Sequence, residues 1–138
     1  MIDRAIVVGI FVISLAVLAA WFYIRPRMLI ARLNRRELPT GLRLAGHPVV
    51  VAFTSPDCAA CQTAQGPALQ ELIVRLGRRI DVQEVDVLAT RDMARAFGIF
   101  TVPSTVVLDA RGSVVGLNVG FASADRLLAQ LRVAAQEW

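Results

Sequence analysis

Val49-Val50-Val51-Ala52-Phe53, followed after four intervening residues by Cys58-Ala59-Ala60-Cys61, is the stretch that decides the fold. The first five residues are apolar and mostly β-branched, the composition of a buried strand. Residues 58–76 continue as a helical pattern, with Ala64, Leu69, Leu72, Ile73 and Leu76 as its apolar side and Gly77 as its stop. Two cysteines three apart on a helical turn can close a disulfide when their Cβ atoms come within about 4.5 Å. At a helix N-terminus, unpaired N–H groups and the macrodipole favour a thiolate on the first of them. Motifs of this kind lower a thiol pKa from about 8.5 to roughly 3.5–7.5. Such a thiolate attacks a disulfide, and the second cysteine resolves the mixed disulfide. Two packed core thiols, or half of a metal site shared between chains, are the alternatives for the pair.

Downstream, the pattern alternates regularly. Residues 80–87 read as a second strand. Residues 90–97 read as a helix with Thr90 as N-cap and Gly98 after its end. Residues 105–108 and 113–119 read as two strands joined at Ala110-Arg111-Gly112, a hairpin. Ser123 caps a last helix through Gln136, with Leu127, Leu128, Leu131 and Ala135 inward. The order β-α-β-α-β-β-α predicts an α/β domain with a mixed sheet and helices on both faces.

Upstream lies a segment of different character. Residues 5–24 carry no charge, and as a helix twenty residues span about 30 Å, the thickness of a bilayer's hydrocarbon core. Trp21 and Tyr23 stand at its far end, where amphipathic rings prefer the interface. A cleavable signal peptide has an apolar region of only about 7–15 residues, and the small-x-small candidate Ser14-Leu15-Ala16 lies in mid-run. The segment therefore reads as one N-terminal transmembrane helix, stopped by Arg25-Pro26-Arg27. Residues 1–27 form the anchor and basic flank, 28–47 a connector and 48–138 the folded domain. The connector holds a short amphipathic helix through Arg36, broken at Pro39 and Gly41.

Charge follows the same division. The chain of 138 residues has a formal net charge of +4 and a pI near 10.4, every basic residue being Arg. Residues 1–43 carry seven arginines against two acids, and residues 44–138 eight against nine. The basic character is thus membrane-proximal, not that of a nucleic-acid binder. Phe121 and Trp138 are too separated to stack bases. Five arginines on the C-terminal flank (25, 27, 32, 35, 36) place the domain in the cytoplasm by the positive-inside rule, and suit contact with lipid headgroups. Two cysteines exclude a multi-disulfide scaffold, and with the single His47, read as a loop residue, they cannot complete a four-ligand zinc site.

From about Pro48 to Gln136 the sequence resembles the thioredoxin family. Phe53-Thr54-Ser55-Pro56-Asp57-Cys58-Ala59-Ala60-Cys61 is similar to that family's junction of strand and active site. Phe97 to Thr105 is similar to its loop with a cis-proline, Asp109-Ala110-Arg111-Gly112 to its hairpin, and Val119-Gly120-Phe121 to its lead into the last helix. The resemblance implies a thioredoxin-like fold and a thiol–disulfide oxidoreductase acting on protein disulfides or dithiols. It implies Cys58 as nucleophile and Cys61 as resolving thiol, with no cofactor or metal. It further implies that Pro103 is cis and faces the pair, and that Val102 pairs with substrate backbone. Three departures stand out. Asp57 replaces an aromatic residue, Ala52 replaces a buried acid, and Ala59-Ala60 replaces Gly-Pro. They keep open a rival reading, a thioredoxin-fold binding or accessory subunit with a membrane-protein partner. A third reading is an outward-facing reductase serving cytochrome c maturation or similar assembly.

Overall fold

The structure, a computed structural model, describes residues 2–35 and 37–136. Trp138, and Arg36 at the end of the expected connector helix, lie outside the described residues. The elements run α1 (Ile2–Leu33), β1 (Val49–Thr54), a π-helical turn (Cys61–Gln65) leading into α2 (Gly66–Leu76), a 3-10 turn (Gly77–Arg79), β2 (Asp81–Asp86), α3 (Arg91–Ala96), β3 (Ser104–Leu108), β4 (Val114–Val119) and α4 (Ala124–Gln136).

The sheet order is β2-β1-β3-β4. Central β1 pairs parallel with β2 and antiparallel with β3, and β3 pairs antiparallel with β4. A strand covered on both faces must be apolar throughout, and Val49, Val50, Val51, Ala52 and Phe53 are all buried. Alternation then sorts them. Val49, Val51 and Phe53 join Met93, Ala94, Phe97 and Ile99 around α3, with Phe53 and Phe97 edge to face at 6.0 Å. Val50 and Ala52 face Leu69 and Leu72 of α2 and Leu127 and Leu131 of α4. Each of the Val, Leu, Ile, Phe and Met side chains among them, taken fully out of water, contributes about 1.5–3 kcal/mol.

Several expectations shift in detail. Arg25-Pro26-Arg27 ends the apolar span but not the helix, since α1 runs through Pro26 to Leu33. Pro26 removes one backbone donor, so the carbonyl one turn earlier loses its partner. The last turn of α1 gains a tertiary partner instead. Leu33 is buried in the α3-side core with Ile30 packed beside it. The Asn34 side-chain amide donates to the Val114 carbonyl at 3.2 Å, and its oxygen accepts the Val114 N–H at 2.6 Å. β4 is an edge strand, and Asn34 occupies backbone groups it would otherwise expose.

On α4 the inward positions are Ala124, Leu127, Leu131 and Ala134, while Ala135 is exposed. On α2, Ile73 is 38% exposed and Ala68 takes an inward place. Thr90 does not cap α3 through its side chain; its hydroxyl donates to the Asp86 carbonyl at 2.8 Å. Ser123 does accept from the Arg126 N–H at 3.3 Å, as a cap should. Gly98, at φ 69°, provides the left-handed residue that turns the chain out of α3. The hairpin is tied by Asp109, whose carboxylate accepts the N–H groups of Arg111 at 2.9 Å and Ser113 at 2.8 Å.

Candidate active site

Strand register assembles one pole of the domain. Phe53 pairs with Ser104, and Ser104 with Val119. The ends of β1 and β4 and the start of β3 therefore meet. The Cys58 loop leaves from the end of β1, and Pro103 immediately precedes β3.

Cys58 and Cys61 are disulfide-bonded, with Cα atoms 5.3 Å apart. Cys58 is half-buried, whereas Cys61 is only 7% exposed. An approaching disulfide therefore meets Cys58 first. The Cys61 N–H donates to Cys58 Sγ at 3.1 Å, a donor aimed at the sulfur that would carry negative charge. The loop is held by the Cys58 N–H on the Ser55 carbonyl at 3.1 Å and by the Gln62 amide on the Pro56 carbonyl at 3.1 Å.

The helix beyond Cys61 starts with a wide turn. The Gly66 N–H reaches back five residues to the Cys61 carbonyl, and a Cβ on Gly66 would lie 3.3 Å from that oxygen. Pro67 then falls in the first turn of α2, where a missing donor has no consequence. Within the wide turn sits Gln65, 3% exposed. Its amide donates to the Ala122 carbonyl at 3.1 Å, and its oxygen accepts the Ala122 N–H at 3.0 Å. This clamp fastens the cysteine segment to the approach of α4. Sequence reading missed it, although a glutamine on the inward side of an apolar helix was a signal.

The peptide Val102–Pro103 is cis. The Ser104 hydroxyl donates to the Thr101 carbonyl at 2.7 Å and braces the loop on either side of it. Ala52, at the position of the resemblance's buried acid, is 3% exposed and opposite Thr105. Toward β3 and β4 the layer beside it is polar but uncharged, and on β2 its register partner is the exposed Glu84. The Asn118 amide donates to Thr105 Oγ1 at 3.0 Å and to Gln130 Oε1 at 2.9 Å, and Gln130 returns a bond to Asn118 Oδ1 at 2.9 Å. Gln130 lies over Gly116, where a Cβ would collide with its amide. Among the described residues the buried acid is Asp109, at the opposite pole.

Asp57 is exposed and makes no capping hydrogen bond, while His47 is exposed in the loop before β1. An adjacent carboxylate disfavours a thiolate. Replacing Asp57 by Asn should therefore lower the Cys58 thiol pKa in the reduced protein, read by thiolate absorbance against pH. An unchanged or higher value would reject that role for Asp57.

A mixed sheet covered on both faces, with a Cys-x-x-Cys at the strand-to-helix junction and a cis-proline at the same pole, defines a thiol–disulfide class of protein. The profile of the thioredoxin-like domain family matches residues 41–135, and the chain belongs to that family. It is 32% identical over 73 residues to thioredoxin of Bacillus subtilis (strain 168), which covers 53% of this chain and 68% of that protein. It is 33% identical over 82 residues to thioredoxin C-2 of Corynebacterium nephridii, covering 59% and 74%. Among solved structures, thioredoxin-2, a component of the malaria parasite protein secretion machinery, superposes at TM-score 0.61. There the identity is 23%, over 68% of this chain and 89% of that one. MTB dsbF in its mixed oxidised and reduced forms superposes at 0.54 with 20% identity, over 66% and 83%. These two structures share the fold.

Proposed function

We propose that the chain is a membrane-tethered thiol–disulfide oxidoreductase acting on protein substrates. The observation that carries the reading is the asymmetry of the pair, an accessible Cys58 whose sulfur receives an N–H, beside a buried Cys61. In the reducing direction the Cys58 thiolate attacks one sulfur of a substrate disulfide. A new S–S bond forms to that sulfur, and the other leaves as a thiolate that takes up a proton. Cys61, losing its proton, then attacks Cys58 Sγ and releases the second substrate thiolate, which is protonated in turn. The substrate gains two electrons and two protons, and the enzyme pair is left as a disulfide. The backbone of Val102 holds an extended substrate segment by strand addition, and cis Pro103 keeps that segment beside the pair.

The helix from Asp3 to Leu33 is long and apolar enough to cross a bilayer, a test that a signal sequence also meets. Its end supports a retained anchor. The Arg25 guanidinium lies 5.3 Å from the Trp21 ring centre and that of Arg27 4.2 Å from Tyr23, pairs suited to the headgroup level. The arginine flank supports a cytoplasmic domain, and the outward orientation is its alternative. The rival accessory-subunit reading draws on Ala52, which puts no buried carboxylate at that position; Glu84, its register partner on β2, is exposed.

Pre-reduced full-length protein in detergent micelles should reduce one protein disulfide per chain, counted as substrate thiols released. Absence of release, together with copurification of a membrane partner by a chain lacking both cysteines, would replace the proposal with the accessory reading. Carbonate-resistant membrane association and a C-terminal reporter test the anchor and its side.

A further inference from the structure

A groove of about 330 Å³ opens at the redox pole between α3 and the loop leading to Pro103. Val87, Ile99, Phe100 and Val102 give it an apolar floor and rim, and Arg91 and Arg95 stand along one side. Phe100 is 87% exposed, an aromatic ring left in water three residues before the cis-proline. Arg91 and Arg95 are four apart on α3 and therefore share a face. Like charges at that spacing destabilise a helix unless a carboxylate intervenes. Asp92 lies three residues before Arg95, a neighbouring position on the helix, but forms no ion pair with it: the ion pairs among the described residues are those of Arg75 with Glu71 and Asp125. The end of α1 does not line the groove. That helix ends against Val114, whose register partner is Leu108, at the other end of the sheet.

We propose that this groove receives the stretch of a substrate protein next to its reacting cysteine, and that it selects segments joining an apolar side chain to one or two carboxylates. The inference rests on the oxidoreductase reading and names its substrate class. Val102 belongs both to the groove and to the strand-addition segment, so a chain paired there runs on into the groove without a break. Its apolar side chain covers Phe100, and its carboxylates meet Arg91 and Arg95.

The test uses two disulfide-bridged peptides of equal length that differ beside the reacting cysteine, one with Leu-Asp-Glu and one with Leu-Ser-Ser. Pre-reduced full-length protein in neutral-detergent micelles at low salt should reduce the acidic peptide about tenfold faster, an advantage that added salt removes. R91Q/R95Q should bring the ratio of the two rates to near one. R78Q/R79Q, an equal charge change at the distal start of β2, should keep the preference. Phe100→Ala should slow both peptides. A ratio that survives R91Q/R95Q, or falls as far in R78Q/R79Q, overturns the groove while leaving the redox reading intact. Failure to reduce either peptide overturns the redox reading. In that event fluorescence anisotropy with a cysteine-free acidic peptide decides the groove, which stands if binding is lost in R91Q/R95Q and falls if it is unaffected.

Discussion

Cys58→Ser should abolish disulfide reduction by the full-length protein, a loss of roughly three orders of magnitude or more, as expected when a covalent nucleophile is removed. A serine hydroxyl stays protonated at neutral pH and makes no S–S bond, so no mixed disulfide can form. Cys61→Ser should behave differently. Cys58 remains half-exposed with its N–H donor supplied by the backbone, so the first attack survives. Resolution then has no sulfur, and the chain should accumulate with one substrate molecule covalently attached. Mass spectrometry under non-reducing conditions reads both results. The opposite pattern, with trapping by Cys58→Ser and loss by Cys61→Ser, would reverse the two roles.

The strands and helices of the domain were legible because each carries its own local period. Val49 to Phe53 are apolar without interruption and lie at the centre of the sheet, and the hairpin at residues 109–113 is written in Asp109 and Gly112. Features decided by partners distant in the chain were not legible. The continuation of α1 beyond Pro26 depends on Leu33 finding the core and Asn34 finding Val114, eighty residues away. The Gln65 clamp likewise joins residues fifty-seven apart. On α2 the period places Leu69 and Leu72 correctly, but the buried face centres on Gln65, Ala68, Leu69 and Leu72, which leaves Ile73 at its edge and exposed.

The site shows the same division. The cysteines announce their chemistry by spacing, and the loop around Pro103 by its resemblance. What surrounds Ala52 needed the register. Ala52 pairs with Thr105, Thr105 with Asn118, and directly paired residues share a face. The layer on the β3 side of Ala52 is therefore filled by groups that bond one another, while Glu84, its partner on β2, is exposed. A network of this kind adds no charge to the interior and leaves no buried donor or acceptor unpaired.

The clamp at Gln65 yields the second large effect. Gln65→Leu keeps the side-chain size but leaves both backbone groups of Ala122 buried without a partner. Each unpaired group costs about 1–3 kcal/mol. For a domain of this size about 4–8 °C of Tm follows each kcal/mol, so thermal unfolding should fall by at least about 8 °C. A change within about 2 °C would show that the Ala122 groups find water or another partner. Gln65→Glu separates lost bonds from lost shape. A protonated carboxyl both donates and accepts, as the amide does, whereas a carboxylate only accepts. Burial raises the pKa of the introduced carboxyl above its unfolded value of about 4.3. The folded state then holds a proton that the unfolded chain has released. Relative to the parent protein, the stability of Gln65→Glu should be fullest below that unfolded value and should decline as pH rises through the raised one. A variant equally destabilised at pH 4 and pH 8, by about the same margin at both, would assign the loss to packing instead of to the two hydrogen bonds.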